Sequence, residues 1–422
     1  MEYKITQIKS GIKFHAINTN KFKTNLMAVF LTTKLERDNV TKNALISMLL
    51  RRGSKSMKTQ EEINKEMEEL YGATFDCGID KTGDNQVIKL YIETINDKYL
   101  PQTEENMLKT TMEKLLELAF NPYTENGGFS KKYLEQEKNT LMQKIEARVD
   151  NKARYAQERC LEEMYKNEPF SLYKFGYVED LEKIDEKNLY DYYQKLIENC
   201  KVDIFLSGEL KGNEAEILKE NESIKKLEAR QPIYSKPELI KNKIEKEKIV
   251  TDKLEVSQGK LVLGLDIDIQ NEDEKYDVLA YNGILGGSAN SKLFQNVREK
   301  AHLAYVASSN YFRFKNNIII NCGIEISNYE KALKIIKEQI EDMKKGNFSD
   351  EDLSNCKKII DDSIKAIEDE QDTGIIYSFS QELSERGLTP EEYIKRIDKV
   401  NKEDIIKIAN KVTINTVYFL RN

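Results

Sequence analysis

Arg298 and Tyr305 stand seven positions apart in the second half of the chain and carry side chains suited to chemistry. The run that contains them opens with Gly286-Gly287, which favours the end of one helix, and apolar residues at helical spacing then predict a second helix ending near Arg298. Tyr305 begins the next predicted strand. An Arg and a Tyr at such a junction can converge and donate hydrogen bonds to a peptide carbonyl or a developing oxyanion. The residues also allow a structural interpretation, in which Arg298 pairs with Glu299 and Tyr305 is a core aromatic residue.

Histidine is scarce, which limits the other chemistry open to the chain. The two histidines, His15 and His302, lie in opposite halves. A zinc site that takes two histidine ligands from one helix face needs them four residues apart, and a nucleophilic cysteine such as Cys77 needs a histidine nearby. The sequence therefore argues against either site. The five cysteines are far apart and form no CxxC pair, which favours free thiols in a reducing, cytoplasmic setting.

The composition is that of a globular protein with an acidic balance. The chain has 422 residues, 39% of them apolar and 33% charged, and a net charge of −7. An acidic chain gains no Coulomb attraction to nucleic acid or anionic lipid, so we expect neither partner. The residues from Met1 to Asn20 lack the apolar run of a signal peptide, and no later apolar run is long enough to predict a membrane helix.

The first half reads as strands and helices in a recognisable order. Thr59 is a plausible N-cap, followed by glutamates in the first turn of a helix. The predicted elements are strands at 12–17 and 24–34, helices at 39–50 and 59–70, strands near 73–79 and 86–95, helices at 104–119, 129–165 and 179–198, and a strand at 202–207.

The second half repeats this plan, which indicates an internal duplication. Its predicted elements are strands at 259–269, 304–313, 318–326 and 413–420 and helices at 273–285, 291–301, 329–345 and 350–386, with two short helices before the last strand. Strands followed by runs of helices indicate an α+β fold, with helices on one face of a largely antiparallel sheet in each domain. We predict an N-terminal domain at 1–210, a charged linker at 211–250 and a C-terminal domain at 251–422.

The run from Gly286 to Tyr305 resembles the signature GGxxxSxLFxxxREKxGLAY of the pitrilysin/insulinase family of inverzincin metallopeptidases, which includes the mitochondrial processing peptidases. It departs from this pattern at His302, where glycine is usual. The resemblance extends over nearly the whole chain and implies a two-domain fold similar to LuxS and the processing peptidases. It also implies that Arg298 and Tyr305 bind substrate and stabilise the reacting carbonyl, across a chamber from a zinc held by another domain.

The zinc motif of that family, HxxEHxxFxGT, aligns with residues 44–54, and its chemical positions do not match. Ala44 and Met48 replace the two histidine ligands, and Ser47 replaces the glutamate that acts as general base. A methionine sulfur suits copper(I) better than zinc, so Ala44 and Met48 are expected to be core residues. Arg51 stands where the family has phenylalanine.

The third zinc ligand of the family, a glutamate in a pattern like ExxVxxEEI, aligns best with Lys144. The spacing from the first motif is longer than usual, and an insertion around 101–124 would explain it. The resemblance thus implies that this chain holds no metal or other cofactor and is not a peptidase by itself.

Some enzymes of the family are heterodimers, in which one subunit carries HxxEH and the other supplies the Arg–Tyr pair. This chain looks like the second kind. We therefore predict a homologous catalytic partner that carries the zinc, and a peptide substrate bound by Arg298 and Tyr305. Two other interpretations stay open: a pseudo-peptidase that serves as a scaffold or binding module in a modification or peptide-maturation pathway, and a homodimer that binds peptides without hydrolysis.

Overall fold

The computed structural model describes residues 2–100, 106–237 and 246–422. In chain order the strands are β1 (Glu2–Lys9), β2 (Ile12–Asn18), β3 (Thr24–Lys34), β4 (Thr74–Thr82), β5 (Asn85–Ile95), β6 (Thr124–Glu125), β7 (Gly128–Phe129), β8 (Lys201–Gly208), β9 (Lys248–Lys253), β10 (Gly259–Ile267), β11 (Ala304–Phe312), β12 (Asn317–Ile324) and β13 (Val412–Arg421).

The α-helices are α1 (Val40–Leu49), α2 (Gln60–Glu69), α3 (Met107–Phe120), α4 (Lys131–Glu146), α5 (Lys152–Met164), α6 (Val178–Leu181), α7 (Glu186–Asn199), α8 (Glu214–Glu220), α9 (Glu222–Lys226), α10 (Glu274–Leu285), α11 (Tyr329–Lys344), α12 (Asp350–Lys365), α13 (Gln371–Leu383), α14 (Pro390–Lys399) and α15 (Lys402–Ala409). A π-helix, Phe294–Lys300, precedes β11.

The first compact unit comprises Met1–Glu146, Leu172–Lys236 and Glu368–Glu382. Its sheet has the order β1-β2-β8-β3-β5-β4. Neighbouring strands are antiparallel, except that β2 and β8 run parallel. Because β4 lies at the end of this order, one of its edges faces no strand of the described sheet.

Alternation along β3 shows how the first sheet is covered. Met27, Val29 and Leu31 belong to the apolar core that includes α1, α3 and α7. Successive strand residues point to opposite faces, so Phe30 points away from that core. There its ring centroid lies 4.9 Å from that of Phe379 of α13, edge to face. Helices therefore cover both faces of this sheet, whereas the sequence predicts them on one face, because local periodicity does not show that α13 packs here.

The second compact unit comprises Ala147–Ser171, Pro237–Ile367 and Leu383–Asn422. Its sheet has the order β11-β12-β10-β13-β9, with only the β13–β9 pair parallel among the described strands. Helix α5 packs against β10 and β13. A Cβ at Gly264 of β10 would lie 2.0 Å from the Met164 sulfur, so glycine permits this close approach.

The predicted α+β class, with two related units of sheet and helices, is confirmed. The boundaries at 1–210, 211–250 and 251–422 follow chain order, whereas the observed units are discontinuous because α5 and α13 bury their apolar faces against the sheet of the other half. Part of the predicted linker forms α8 and α9, which belong to the first unit. Residues 101–105 of the proposed insertion and 238–245 of the linker lie outside the described residues.

Candidate functional site

Helix α1 carries the three positions that align with the HxxEH motif. Ala44 is fully buried, and the Ser47 hydroxyl donates to the Ala44 carbonyl at 2.8 Å. Met48 is half-buried and packs against the core of the first unit. An alanine methyl group, a hydroxyl bonded within its own helix and a core thioether offer no zinc ligand set.

The turn after α1 keeps the backbone geometry that the family pattern requires. A Cβ at Gly53 would lie 2.8 Å from the carbonyl oxygens of both Met57 and Lys58, so glycine is needed for this close approach. The helix and its following glycine are therefore present, although the side chains that would carry the metal chemistry differ.

Lys144, aligned with the third ligand, lies on α4, which packs against α1. Its Nζ atom lies 4.6 Å from the ring centroid of Phe175. Burial, together with repulsion from Arg51 and Lys174, holds the pKa of Lys144 below its usual value. An ammonium group at this place repels a divalent cation. The residues aligned with the motif therefore do not fit zinc.

Sequence reasoning missed part of this environment. It noted Arg51 only as a departure from the family pattern and gave no role to Lys174 or Phe175. The last two precede α6 and belong to no motif, so only the folded chain brings them to Lys144.

No other metal centre stands out in the described residues, which contain no group of three His, Cys, Asp or Glu side chains able to hold an ion. His15 is fully buried against Asp203. The cysteines are free and buried, and burial raises the pKa of Cys322 and Cys356 to about 12, which leaves them poor nucleophiles. Each helix in the described part of the chain is too short or too polar to span a bilayer.

The glycine pair before Arg298 has a clear structural role in the second unit. Gly286 ends α10, and its amide donates to the Asn282 carbonyl at 2.9 Å. A Cβ at Gly286 would lie 2.7 Å from the backbone nitrogen of Ser309 in β11. Glycine therefore lets the end of α10 approach β11 closely, and the chain then enters the π-helix that carries Arg298. Such wide turns are rare and are frequent at functional sites.

The side chain of Arg298 is 42% exposed, and its ion pair is with the adjacent Glu299, at 3.4 Å. Its guanidinium carbon lies 4.4 Å from the ring centroid of Phe294. A half-exposed pair of this kind contributes little to stability. The guanidinium is therefore accessible to solvent, and the Phe294 ring packs against one side of it.

Tyr305 is 84% exposed, so the alternative that it is a core aromatic residue is wrong. It stands at the start of β11, where the register with β12 shifts between Ala304 and Val306. Such bulges redirect side chains. The π-helix packs against β11, so the elements that carry Arg298 and Tyr305 are in contact. Their assignment to substrate binding stays a prediction.

His302 connects the π-helix to β11 in a left-handed conformation, with φ of 54°. Its amide donates to the Arg298 carbonyl at 3.2 Å, and the Leu303 amide donates to the Val297 carbonyl at 3.0 Å. Glycine adopts this conformation most easily, which accounts for the glycine in the family pattern. Histidine is among the residues enriched there, so the turn is kept despite the substitution.

Comparison with known proteins decides the family. A protein described as "Probable inactive metalloprotease YmfF", from Bacillus subtilis (strain 168), is 35% identical over 430 residues, which cover 99% of this chain and 98% of that protein. The profile described as "Peptidase M16 inactive domain" matches residues 183–360. This chain belongs to the M16 peptidase family. It is an inactive homologue, and the resemblance to pitrilysin and insulinase is confirmed.

Other M16 and related proteins agree with this placement. An "Uncharacterized zinc protease YmxG" from the same strain is 22% identical over 287 residues, covering 67% of this chain and 69% of that protein. A conserved protein from Enterococcus faecalis V583 has a TM-score of 0.89 at 28% identity, covering 100% of this chain and 99% of the other. A "peptidase M16 inactive domain" from Pseudomonas fluorescens, with a TM-score of 0.80 at 18% identity over 100% of this chain and 98% of the other, shares the fold.

Proposed function

We propose that this chain is the non-catalytic subunit of a heterodimeric zinc metallopeptidase. In this proposal Arg298 and Tyr305 bind the peptide substrate and complete the active site of a partner that carries HxxEH. The observation that carries the proposal is a contrast within one chain. The positions of the metal motif hold buried or non-ligating side chains, whereas Arg298 is half-exposed and Tyr305 is 84% exposed.

The surroundings of Tyr305 support peptide binding. Strand β11 is an edge strand of the second sheet, paired in the described residues with β12 alone. An edge strand offers backbone N–H and C=O groups to which an extended peptide can add. The Ser309 amide already donates to the Gly286 carbonyl at 2.9 Å, so a peptide could add only along the rest of this edge. Val306, next to Tyr305, is 56% exposed, so an apolar surface accompanies these backbone groups. An exposed strand edge is a template for pairing with another chain.

The chemistry assigned to this chain is hydrogen-bond donation. The guanidinium of Arg298 carries several N–H donors and the Tyr305 hydroxyl carries one. Both can donate to the carbonyl of the peptide bond that is attacked, and such donors stabilise the negative charge that develops there. Zinc, held by the partner, would supply the activated water.

A partner with the complementary motif is plausible on the comparisons. The same Bacillus strain has one relative described as probably inactive and another described as a zinc protease. An obligate pair of chains of this size would bury more than about 2,000 Å². We place the pair in the cytoplasm, because the cysteines of the described chain are free and a reducing compartment preserves thiols.

The test is reconstitution with an HxxEH-bearing homologue from the same genome. We expect a stable complex, zinc-dependent cleavage of an unstructured peptide, and a loss of about 100-fold or more in kcat/KM for Arg298→Ala and for Tyr305→Phe. Lys300→Ala, which removes a cation from the same π-helix, is the matched control and should keep full activity. Full activity in both test variants would exclude the proposed role, and cleavage by this chain without a partner would contradict its inactivity.

The alternative function is a pseudo-peptidase that grips a protein in a modification or peptide-maturation pathway. The exposed β11 edge is compatible with this role as well. Reconstitution separates the two, because a scaffold would bind its protein without giving zinc-dependent cleavage. A peptide-binding homodimer would instead keep its peptide affinity when the chain is purified alone.

A further inference from the structure

Two ammonium groups lie over the ring of Phe175 in the first unit. The Nζ atom of Lys144 lies 4.6 Å from the ring centroid, and that of Lys174 lies 5.3 Å from it. The positive charge of Arg51 contributes to lowering the pKa of Lys144. The aromatic face attracts cations and so holds the two ammonium groups near each other.

The nearby carboxylates are already paired. Asp76 forms an ion pair with Arg51 at 3.2 Å. Asp80 lies 3.1 Å from the ammonium groups of both Lys174 and Lys89.

The remaining nearby carboxylate, Glu137, is buried in an ion pair with Arg52. No carboxylate in the described residues lies within ion-pair distance of Lys144. Its positive charge is therefore uncompensated at short range.

This arrangement is costly for the ammonium of Lys144. Burial, Arg51 and Lys174 all lower the pKa of Lys144, against weaker opposite effects from Glu137 and Asp76. A bound anion would relieve this repulsion and stabilise the ammonium of Lys144. The half-exposed position leaves room for such a ligand to approach from solvent.

The two departures from the family pattern have the same sign. Arg51 stands where the pattern has phenylalanine, and Lys144 is aligned with a glutamate. Each adds positive charge, and the fold places them near each other. In the family pattern these surroundings hold the imidazole and carboxylate ligands of a cation, whereas in this chain they hold positively charged side chains.

We propose that Arg51, Lys144 and Lys174 form a binding site for a single carboxylate of a peptide or protein ligand. The ammonium of Lys144 would bind the carboxylate directly, and Arg51 and Lys174 would share their charge between this ligand and Asp76 and Asp80. An extended polyanion fits poorly, because the whole chain carries a net charge of −7 and would repel it. The carboxylate can come from a chain terminus or from an Asp or Glu side chain.

The inference is independent of the role proposed for Arg298 and Tyr305, which lie in the second unit. The preference for a carboxylate peptide over its amide tests this site, whereas zinc-dependent cleavage by the reconstituted pair tests Arg298 and Tyr305, so failure of one proposal can be told from failure of the other.

The first test measures binding of labelled short peptides by fluorescence anisotropy at low ionic strength. Three probes are used: a polyalanine peptide with a free C-terminus, its C-terminal amide, and the amide with one central Asp. We expect at least one carboxylate peptide to bind more tightly than the plain amide. The substitution Lys144→Met should lower the affinity for that peptide by about three- to tenfold. Lys132→Met, an exposed lysine of the same helix, should change nothing. The two carboxylate probes distinguish the terminal from the side-chain source.

The second test uses the unmodified protein, so it does not depend on variant folding. Lysine acylation is followed by mass spectrometry with and without the peptides. We expect the carboxylate probe that binds to slow acylation of Lys144 and to leave Lys132 unaffected. Equal affinity for all three peptides, equal affinity in Lys144→Met, or protection by inorganic phosphate as strong as by the peptides would each overturn the proposal.

Discussion

The Nε2 atom of His15 lies 2.9 Å from Oδ1 of Asp203, and both side chains are fully buried in the first unit. The Tyr3 hydroxyl lies 2.7 Å from Nδ1 of the same imidazole. A neutral imidazole that donates from Nε2 and accepts at Nδ1 satisfies both contacts. Asp203 also accepts from Lys201 at 2.5 Å, and Lys201 lies 3.1 Å from Glu382 of α13. This network connects α13 to the β8 side of the sheet.

Removing one carboxylate from this network should destabilise the protein strongly. In Asp203→Asn the ammonium of Lys201, which is 6% exposed, loses its nearest countercharge. We expect the free energy of unfolding to fall by about 3–5 kcal/mol, as for other broken buried pairs. Urea unfolding measures it, with the exposed Asp369→Asn as control, expected within about 0.5 kcal/mol of the parent. A loss below about 1 kcal/mol in Asp203→Asn would contradict a structural role for the network.

The same network predicts the response to acid. Burial disfavours the ionised form of Asp203, but Lys201 and His15 outweigh it and lower the pKa of Asp203; at Glu382 burial is likewise outweighed, by Lys201 and Lys13. Unfolded Asp and Glu have pKa values of about 3.9 and 4.3. The stability these groups supply is therefore present above those values and lost as pH falls through the lower folded pKa values. Unfolding followed between about pH 5 and pH 2 should show this loss, and Asp203→Asn should flatten it.

The contribution of Asp277, in α10, to the free energy of unfolding should have the opposite pH dependence. Burial, Asp404 and Glu274 raise the pKa of Asp277 to about 6. Because the folded pKa lies above the unfolded value of about 3.9, stability falls as pH rises through this interval. Asp277→Asn should therefore raise the free energy of unfolding above pH 6 by about 1 kcal/mol, after allowance for solvent screening of a half-exposed group.

Near about pH 4 the same substitution should have a much smaller effect, since the carboxyl is then largely protonated in the folded state and still about half protonated in the unfolded state. Urea unfolding at pH 4 and at pH 7.5 makes the comparison. An equal change at the two pH values would mean that packing, and not ionisation, governs this position.

Much of the fold could be predicted from local sequence. The helix predicted at 59–70 is α2, where the Thr59 hydroxyl accepts from the Glu62 amide at 3.1 Å. The strands predicted at 24–34 and 86–95 are β3 and β5. Caps and apolar alternation act over a few residues, so one sequence suffices to read them.

The sequence did not predict that the segment 147–171 belongs to the second unit and the segment 368–382 to the first. The sequence predicts single helical stretches at 129–165 and 350–386, but each is divided, near Ala147–Val149 and Ala366–Asp369. Those breaks lie where the chain passes from one compact unit to the other. Helical periodicity shows that a helix has an apolar face and does not show which sheet covers it. The exposure of Tyr305 could not be predicted for the same reason. It depends on the position of β11 at the edge of the sheet, which local periodicity does not show.

His302 offers a test of the turn between the π-helix and β11. Its left-handed backbone, with φ of 54°, costs a residue with a Cβ about 1 kcal/mol relative to glycine. We expect His302→Gly to raise the thermal unfolding midpoint slightly and His302→Val to lower it, because β-branched residues tolerate positive φ poorly. Differential scanning calorimetry compares the variants. Equal midpoints for Gly and Val would show that this turn adopts another conformation in solution.

We expect that placing histidines at positions 44 and 48 will not restore a zinc site. The side chain of Ala44 is 0% exposed, so the larger imidazole in Ala44→His must displace packed neighbours, at a cost of about 1–3 kcal/mol. Met48 on the same helix is only half-buried, so Met48→His should cost less. Urea unfolding of the two single variants tests this order, and zinc titration of a variant with both histidines tests the site. With Lys144 still present, we expect no tight zinc binding, since its ammonium repels the ion. Stoichiometric zinc in the double variant at parental stability would contradict both the packing and the charge argument.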